Sequence, residues 1–255
     1  MPRAFFLSDI HFGLESPQRE HQKQERVLAF LDHVRTHGTE LFIVGDLFDA
    51  WFEYRTVVPR GFHRIMTKLE DLTRAGVVVH YLVGNHDAWV RDSFTELGVR
   101  THREAFTAQV GATRVYLHHG DGLSANDTGY RILKRILRNP VNIWLYSWLH
   151  PDIGLRLAGA SSRTSRDYTS TKDYGESDGM VAFATEKIAE GFDAVVMGHR
   201  HKPDRRTIGI TPLVRASSKK ASVALCASLS ANEGETAAGR SLTSRARKRL
   251  RVCAA

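Results

Sequence analysis

Five short apolar runs along the chain are each followed by a polar loop. With the loops that follow them, the runs read AFFLSDIH, LFIVGDLFD, VVVHYLVGNHD, RVYLHHGD and AVVMGHRH. Runs of Val, Ile, Leu and Phe without polar alternation are typical of strands that are buried on both faces of a sheet. We therefore predict five buried strands, each ending in a loop rich in Asp, His, Asn and Gly.

Segments with helical periodicity separate several of these strands. The first segment, REHQKQERVLAFLDHVRTHG, offers Gly38 as a C-cap and has an apolar face formed by Val27, Leu28, Leu31 and Val34. The segments FHRIMTKLEDLTRAG and MVAFATEKIAEG repeat this form before the third and the fifth strand. Strands and helices in alternation predict a layered α/β fold in which β-sheets are flanked by helices.

The stretch from about residue 123 to residue 176 interrupts this alternation. YRILKRILRNPVNIWLYSWLHPDIGLRLAG predicts two or three helices, and the polar segment ASSRTSRDYTSTKDYGESD after it predicts a loop. The first helix sets apolar residues against Arg131, Lys134, Arg135 and Arg138. One interpretation is a helical cap with a solvated basic face. The other is a partly apolar lid for an amphiphilic substrate, or a contact with a membrane surface.

The net charge of +8 is concentrated near the C-terminal end. Residues 215–255 carry nine Lys and Arg but two Glu, so the rest of the chain is nearly neutral. A nucleic-acid-binding domain requires a basic face on its folded core, and we therefore expect no nucleic acid partner. Residues 211–255 are rich in Ala, Ser and Arg and predict a poorly ordered tail with one candidate strand, ASVALCASL. A basic surface anchor is the alternative.

The cysteines and the apolar runs bear on the location of the protein. Cys226 and Cys253 both lie in the predicted tail, so no disulfide framework is indicated. No signal peptide is recognisable, and no apolar run reaches the roughly 18 residues of a membrane-spanning helix. We expect the reducing cytoplasm.

Side chains that can bind metal follow all five predicted strands. Seven of them form the candidate ligand set: Asp9, His11, Asp46, Asn85, His119, His199 and His201. The carboxyl ends of strands in an open α/β sheet meet at one edge, so we expect these side chains to gather there. Carboxylate, imidazole and amide ligands without thiolate suit Mn, Fe or Zn. Seven ligands fit two ions, with Asp46 as the bridging carboxylate.

The series DIH, GDLFD, GNHD, HHGD and GHRH resembles the five-block pattern of the calcineurin-like metallophosphoesterases. The resemblance implies one ion held by Asp9, His11, Asp46 and His201. It implies a second ion held by Asp46, Asn85, His119 and His199. It assigns the histidine before GD, His119, as the ligand, so we expect His118 to be a packing residue.

The same resemblance implies a reaction and a domain. His86 would contact the phosphoryl group and protonate or stabilise the leaving oxygen, and Asp87 would orient His86. Two divalent ions would neutralise phosphoryl oxygens and activate a water molecule for in-line attack on phosphorus. Residues 1–210 would form the metallophosphoesterase domain, with the helical cap inserted at about 123–176.

The segments GDLFDAWFEY, HHGDGLSANDTGY and GHRHKP, together with the helical insertion, resemble the UDP-2,3-diacylglucosamine diphosphatases of lipid A biosynthesis. The resemblance implies hydrolysis of an amphiphilic nucleotide-sugar lipid to UMP and a diacylglucosamine 1-phosphate, usually with Mn²⁺, under a lid that holds acyl chains. Besides Asn85 and His86, the implied or candidate substrate contacts are Asp127, Arg163, Ser165 and Arg166. A peripheral contact with the inner membrane surface is a further expectation.

Two alternatives remain open at this point. The first is a metallophosphoesterase that acts on another nucleotide or on a phosphodiester, because the metal core does not select the substrate. The second is a nucleic-acid-associated protein that uses the basic tail.

Overall fold

The structure, a computed structural model, describes residues 3–123, 128–170, 176–201, 204–209 and 220–225. The strands in these ranges are β1 (Ala4–Leu7), β2 (Glu40–Val44), β3 (Val78–Leu82), β4 (Arg100–His102), β5 (Phe106–Val110), β6 (Thr113–His118), β7 (Ala194–Met197), β8 (Asp204–Gly209) and β9 (Lys220–Leu225). The helices are α1 (Pro17–His37), α2 (His63–Arg74), α3 (Ser93–Glu96), α4 (Thr128–Leu137), α5 (Pro140–Tyr146), α6 (Pro151–Ser170) and α7 (Glu176–Ala189).

The described strands form two sheets. The first is parallel, in the order β1-β2-β3-β4, with Ala4 opposite Glu40 and Glu40 opposite Val78. The second has the order β5-β6-β7-β9-β8, in which β6, β7 and β9 are parallel and β5 and β8 run antiparallel at the edges. All five predicted strands are present, as β1, β2, β3, β6 and β7. The expectation that they share one sheet edge is wrong, because an apolar run indicates burial and does not specify the pairing partner.

The two sheets pack face to face between layers of helices. Their facing sides form one apolar core from Ala4, Phe6, Phe42, Val44, Leu82, Val110, Val115, Leu117, Ala194 and Val196. Helices α1 and α2 cover the outer side of the first sheet. Helix α7 covers the second sheet through Met180, Ala184 and Ile188. The central strands are therefore buried on both faces, and the predicted layered α/β fold is confirmed.

Helix α1 begins and ends where the sequence indicates. Pro17 occupies its first turn, where the missing N–H needs no partner. The backbone N–H of Gly38 donates to the carbonyl oxygen of Val34 at 2.7 Å and closes the last turn. A Cβ at Gly38 would meet that carbonyl and the ring of Phe5. Gly38 therefore caps the helix and also lets it pack closely against β1.

Three helices, α4 to α6, occupy the interruption between β6 and α7. Their number agrees with the sequence prediction. The predicted loop in ASSRTSRDYTSTKDYGESD is wrong in its first part, because α6 continues to Ser170, and in its last part, because α7 begins at Glu176. The residues from Ala160 to Ser170 include neither Gly nor Pro, so nothing in this polar stretch ends the helix.

Strand β9 lies inside residues 211–255, which the sequence analysis sets apart as a tail. It pairs in parallel with β7 and antiparallel with β8, so the boundary predicted at residue 210 cuts through the second sheet. The run ASVAL is a short β-forming segment that this sheet accommodates between two strands. Residues 210–219 and 226–255, with both cysteines, lie outside the described residues. Within the described part of the chain, no helix is long and apolar enough to cross a membrane.

Two histidines lie in an aromatic stack at the edge of the inter-sheet core. The ring of His80 in β3 stacks on Phe42, with centroids 4.8 Å apart, and His102 in β4 stacks on Phe106 at 3.7 Å. Nδ1 of His80 and Nε2 of His102 are hydrogen bonded at 3.0 Å. Burial lowers the pKa of His80 to about 4 and also lowers the pKa of His102. A charged imidazole is poorly solvated in this stack.

We expect the free energy of unfolding to fall as the pH is lowered from about 6.5 towards 4. A histidine in the unfolded chain binds a proton near pH 6.5, whereas folded His80 binds one only near pH 4, so acid favours the unfolded chain in this window. Urea denaturation at about pH 7.5 and pH 5 measures the effect.

A His80→Gln variant should lose less stability between these pH values than the natural chain does. A His63→Gln variant, changed at an exposed helical histidine, should behave like the natural chain. An unaltered pH dependence in His80→Gln would contradict the prediction.

Candidate metal centre

Loops from both sheets converge on one site. The backbone N–H of His11, after β1, donates to the carbonyl of Asp46, after β2, at 3.0 Å. In the second sheet, the N–H of Gly198 donates to the carbonyl of His119 at 2.8 Å. Asp9 joins the two sheets, because its carboxylate accepts the backbone N–H of His199 at 2.8 Å. The site therefore lies where the carboxyl ends of two facing sheets meet.

The structure brings all seven predicted ligands together. Two groups have ligand atoms within 4.8 Å of one another: Asp9, His11 and His201, and Asp46, His119 and His199. The Oδ1 atom of Asn85 lies 3.0 Å from Nε2 of His119 and 3.1 Å from Nδ1 of His199, so Asn85 belongs beside the second group. Each group offers the oxygen and nitrogen donors that bind divalent cations.

Asp46 lies between the two groups. Its Oδ2 atom is 3.7 Å from Nε2 of His11 in the first group and 3.2 Å from Nε2 of His119 in the second. The side chains of Asp46, His11 and His86 also form a third set with ligand atoms within 4.8 Å. This is the position that a carboxylate shared by two cations must occupy.

The backbone is left-handed at five of the seven predicted ligands. The non-glycine residues with positive φ in the described part of the chain are Asp9, His11, Asp46, His199 and His201, with φ between 50° and 76°. This conformation costs a non-glycine residue of order 1–3 kcal/mol. Its concentration in these loops favours a binding site over a purely structural cluster, because strain of this kind persists where function requires it.

Two glycines make room for the ligands. A Cβ at Gly45 would collide with the ring of His119, and a Cβ at Gly84 would collide with the carboxylate of Asp46. Gly45 also has φ of +84°, which glycine adopts without strain. The close approach of the loops after β2, β3 and β6 therefore depends on the absence of a side chain at both positions.

One buried oxygen in the site is left without a hydrogen bond. Asp46 is 1% exposed, and its Oδ2 atom, which lies 3.2 Å from Nε2 of His119, has no assigned hydrogen bond among the described residues. Nε2 of His11 and Nε2 of His201 face each other at 2.9 Å. A buried carboxylate without its full set of hydrogen bonds is costly, and facing imidazole nitrogens are arranged as two ligands of one cation would be. The residues fit divalent metal ions.

Burial and mutual charge set the protonation of these side chains. Burial raises the pKa of Asp9 to about 6, and it lowers the pKa of His199 to about 4 and that of His201 to about 3. Burial opposes protonation of His119 as well, but the charge of Asp46 raises its pKa to about 10. At neutral pH, His199 and His201 are therefore neutral imidazoles, the form that binds metal.

Asp87 does not orient His86, and that expectation is wrong. Oδ1 of Asp87 accepts the backbone N–H of Gly84 at 2.7 Å. Oδ2 accepts the backbone N–H of Leu47 at 2.8 Å and the hydroxyl of Tyr81. Three donors from β3 and the neighbouring loops thus converge on this fully buried carboxylate. Asp87 ties the loop after β3 to the loop after β2.

The ring of His86 is held instead by Asp49 and by the cap. Its Nδ1 atom lies 3.0 Å from the carbonyl oxygen of Asp49 and 3.0 Å from Oγ of Ser162 in α6. Oγ of Ser162 is also 3.0 Å from Oδ1 of Asp49. Ser162 is not among the predicted site residues, because it lies in a polar run without a motif. No signal in the sequence marks it.

The cap is attached to the body around the site. Lys134 of α4 forms an ion pair with Asp121 at 2.7 Å, and the hydroxyl of Tyr130 donates to the same carboxylate at 2.9 Å. The indole N–H of Trp89 donates to the carbonyl of Leu137 at 2.9 Å. The interpretation of the basic residues as a solvated face is therefore wrong for Lys134, because the nearly buried Asp121 lies directly opposite.

The apolar side of the cap is exposed. The large apolar side chains that are at least a third exposed there are Ile132, Leu133, Ile136, Val141, Trp144, Leu145, Trp148, Leu149, Ile153 and Leu157. The exposed fraction of Trp148 reaches 74%. An extended exposed apolar surface is typical of a ligand-binding or interaction site. The lid interpretation of this insertion requires such a surface, and it stays a prediction.

Other predicted residues lie at the limits of the described structure. Asp127 lies outside the described residues. Arg163, Ser165 and Arg166 belong to α6, whose side chains are described only as far as Ser162. Their contacts with sugar or phosphate stay predictions. The ring of His118 contacts the ring of Phe183 at 5.2 Å, in keeping with a packing residue.

Residues 2–203 match the calcineurin-like phosphoesterase family. A protein of Porphyromonas gingivalis named UDP-2,3-diacylglucosamine hydrolase is 33% identical over 217 residues, which cover 78% of this chain and 83% of that protein. A Pseudomonas entomophila protein of the same name is 30% identical, with 77% of this chain and 81% of that protein covered.

A crystal structure of a predicted phosphoesterase from Streptococcus pneumoniae has a TM-score of 0.38 and 13% identity, covering 91% of this chain and 76% of that chain. At this TM-score the likeness is distant and adds nothing to the assignment. The family match contains all seven candidate ligands, and this chain therefore belongs to the calcineurin-like phosphoesterase family.

Proposed function

We propose that this protein hydrolyses the pyrophosphate of UDP-2,3-diacylglucosamine and releases UMP and 2,3-diacylglucosamine 1-phosphate. Relatives named for this substrate align over about three quarters of the chain. The observation that carries the proposal is the cap with exposed apolar side chains, attached at the rim of a site for divalent cations. A substrate with acyl chains next to a pyrophosphate matches both features.

We further propose the ligand set of two cations. Asp9, His11, Asp46 and His201 would hold the first, and Asp46, Asn85, His119 and His199 the second. The proposed metal is Mn²⁺, with Fe or Zn as alternatives for the same oxygen and nitrogen donors. When bound, two such ions neutralise the charge on phosphoryl oxygens and lower the pKa of a water molecule that attacks phosphorus.

His86 is the proposed general acid. A carbonyl oxygen only accepts hydrogen bonds, so the contact of Nδ1 with the carbonyl of Asp49 at 3.0 Å places a proton on Nδ1. Nε2 is then the nitrogen that exchanges a proton with the substrate. When the P–O bond to the bridging oxygen breaks, protonated Nε2 donates its proton to that oxygen.

The cap is the proposed site for the acyl chains. Its exposed Trp and Leu side chains offer an apolar surface to them, and the same surface would allow a peripheral contact of a cytoplasmic protein with the inner membrane. We expect no nucleic acid partner. The alternative function is hydrolysis of another nucleotide or of a phosphodiester, which the same metal site could perform.

Detergent-solubilised UDP-2,3-diacylglucosamine with Mn²⁺ should yield UMP, detected by chromatography. Trp148→Ser should raise KM for this lipid and leave hydrolysis of bis(p-nitrophenyl) phosphate unchanged, because the diester has no acyl chains. Val57→Ser, at a residue 44% exposed on the body, is the control. Turnover of simple diesters without release of UMP would favour the alternative function.

Asp46→Ala should remove metal and activity together, because a shared ligand serves both ions. Metal content after gel filtration, measured by elemental analysis, should fall for both ions. Asp71→Ala, at an exposed aspartate of α2, should retain both. Full metal content in Asp46→Ala would show that Asp46 is not the bridge.

His86→Ala should retain metal and lower kcat about 10²–10⁴-fold, the usual contribution of a general acid. We would measure steady-state kinetics on a lipid and on a diester substrate, and metal content in parallel. Unchanged turnover would assign proton transfer to another group.

A further inference from the structure

The cap reaches the candidate acid at one buried point. Ser162 is 7% exposed. The residues of α6 that precede it are exposed or half-buried, apart from Gly154. Its Oγ atom lies 3.0 Å from Nδ1 of His86 and 3.0 Å from Oδ1 of Asp49. The neighbouring residue Ser161 is exposed. Among the described side chains of the insertion, Ser162 is thus the one that contacts His86.

The donors and acceptors at this point have only one consistent arrangement. The Asp49 carbonyl requires a proton on Nδ1 of His86, so Nδ1–H is a donor shared between that carbonyl and Oγ of Ser162. The hydroxyl of Ser162, which accepts from His86, then donates its own proton to the carboxylate of Asp49. Hydrogen bonds thus link Asp49, Ser162 and His86, and each proton along this path has a place.

We propose that Ser162 is a positioning residue through which the seated cap prepares His86 for proton transfer. The inference rests on the proposed role of His86 as general acid. When α6 lies against the body, the Ser162 hydroxyl stabilises the Nδ1–H form of His86 and the ring orientation that goes with it. Nε2 of His86 is then the ring nitrogen that can exchange a proton with the substrate. Without that hydroxyl, the carbonyl of Asp49 is the remaining hydrogen-bond partner of Nδ1 among the described residues.

This arrangement couples the lid to the chemistry. Ser162 lies 76 residues from His86 and 113 from Asp49 along the chain, so only the seated helix brings the three together. A substrate that holds the cap in place would therefore also complete the hydrogen bonds of the acid. A short diester does not engage the cap. With such a substrate, the contact of Ser162 with His86 forms only when α6 lies against the body without help from the substrate.

A double-mutant cycle tests the proposal. Ser162→Ala should lower kcat about tenfold, the loss expected from one hydrogen bond to a reacting group, with little change in KM. In a His86→Ala background the same change should alter kcat less than about twofold, because Ser162 acts through His86. Ser162→Thr, which keeps the hydroxyl, should recover most of the rate. Ser161→Ala is the matched control.

The cycle is run on UDP-2,3-diacylglucosamine and on bis(p-nitrophenyl) phosphate. Coupling on the diester without turnover of the lipid would uphold the role of Ser162 and refute the proposed substrate. Independent effects of Ser162 and His86, which multiply in the double variant, would overturn the inference. So would a rise in KM alone, which would make Ser162 a substrate contact.

NMR of the His86 ring tests the role of Ser162 independently of enzyme turnover. In ¹⁵N NMR spectra of the Zn²⁺-loaded protein, the natural chain and Ser161→Ala should show His86 in the Nδ1–H form. Ser162→Ala should shift the Nδ1 resonance of His86 and speed exchange of its proton, with metal content and Tm retained. An unmoved Nδ1 resonance would overturn the inference, even if the variant lost activity.

Discussion

Ionised carboxylates and imidazole lone pairs that are crowded together away from water need positive charge among them. Asp9 and Asp46 are each 1% exposed, and both oxygens of Asp9 accept hydrogen bonds, whereas only one oxygen of Asp46 does. The backbone N–H of His199 pairs with Asp9, and that of His86 pairs with Asp46, but Oδ2 of Asp46 is left without a bond. The left-handed residues among the candidate ligands and the glycines beside them bring these groups within reach of divalent cations.

Two facing sheets are what make that crowding possible. A single parallel sheet presents its loops in a row, whereas here the loops after β1, β2 and β3 face those after β6 and β7. The contact between Asp9 and the N–H of His199 joins the two sets. The apolar core between the sheets, which includes Phe6, Phe42 and Val196, holds this end in place. The candidate metal centre therefore depends on the same packing of the two sheets that forms the inter-sheet core.

The cap adds the second level of organisation. Lys134 and Tyr130 attach its first helix to Asp121. Ser162 in its last helix contacts His86 and Asp49. Its large apolar side chains are left exposed, whereas Lys134, Tyr130 and Ser162 are paired with the body. This inverts the usual arrangement of a surface helix. The solvated-face interpretation therefore fails at Lys134, and the exposed apolar surface is typical of a ligand-binding or interaction site.

Local pattern determined much of this protein from the sequence alone. The five buried strands, the helix α1 with its cap at Gly38, and the ligand-bearing loops could all be predicted, because hydrophobic period, turn residues and ligand chemistry are properties of short segments. Only the tertiary structure decided which strands share a sheet, that β9 joins the second sheet, that Asp87 braces loops and that Ser162 holds His86. Each of these features depends on contacts between residues far apart in the chain. The sequence of a short segment does not specify which distant residues it contacts in the folded protein.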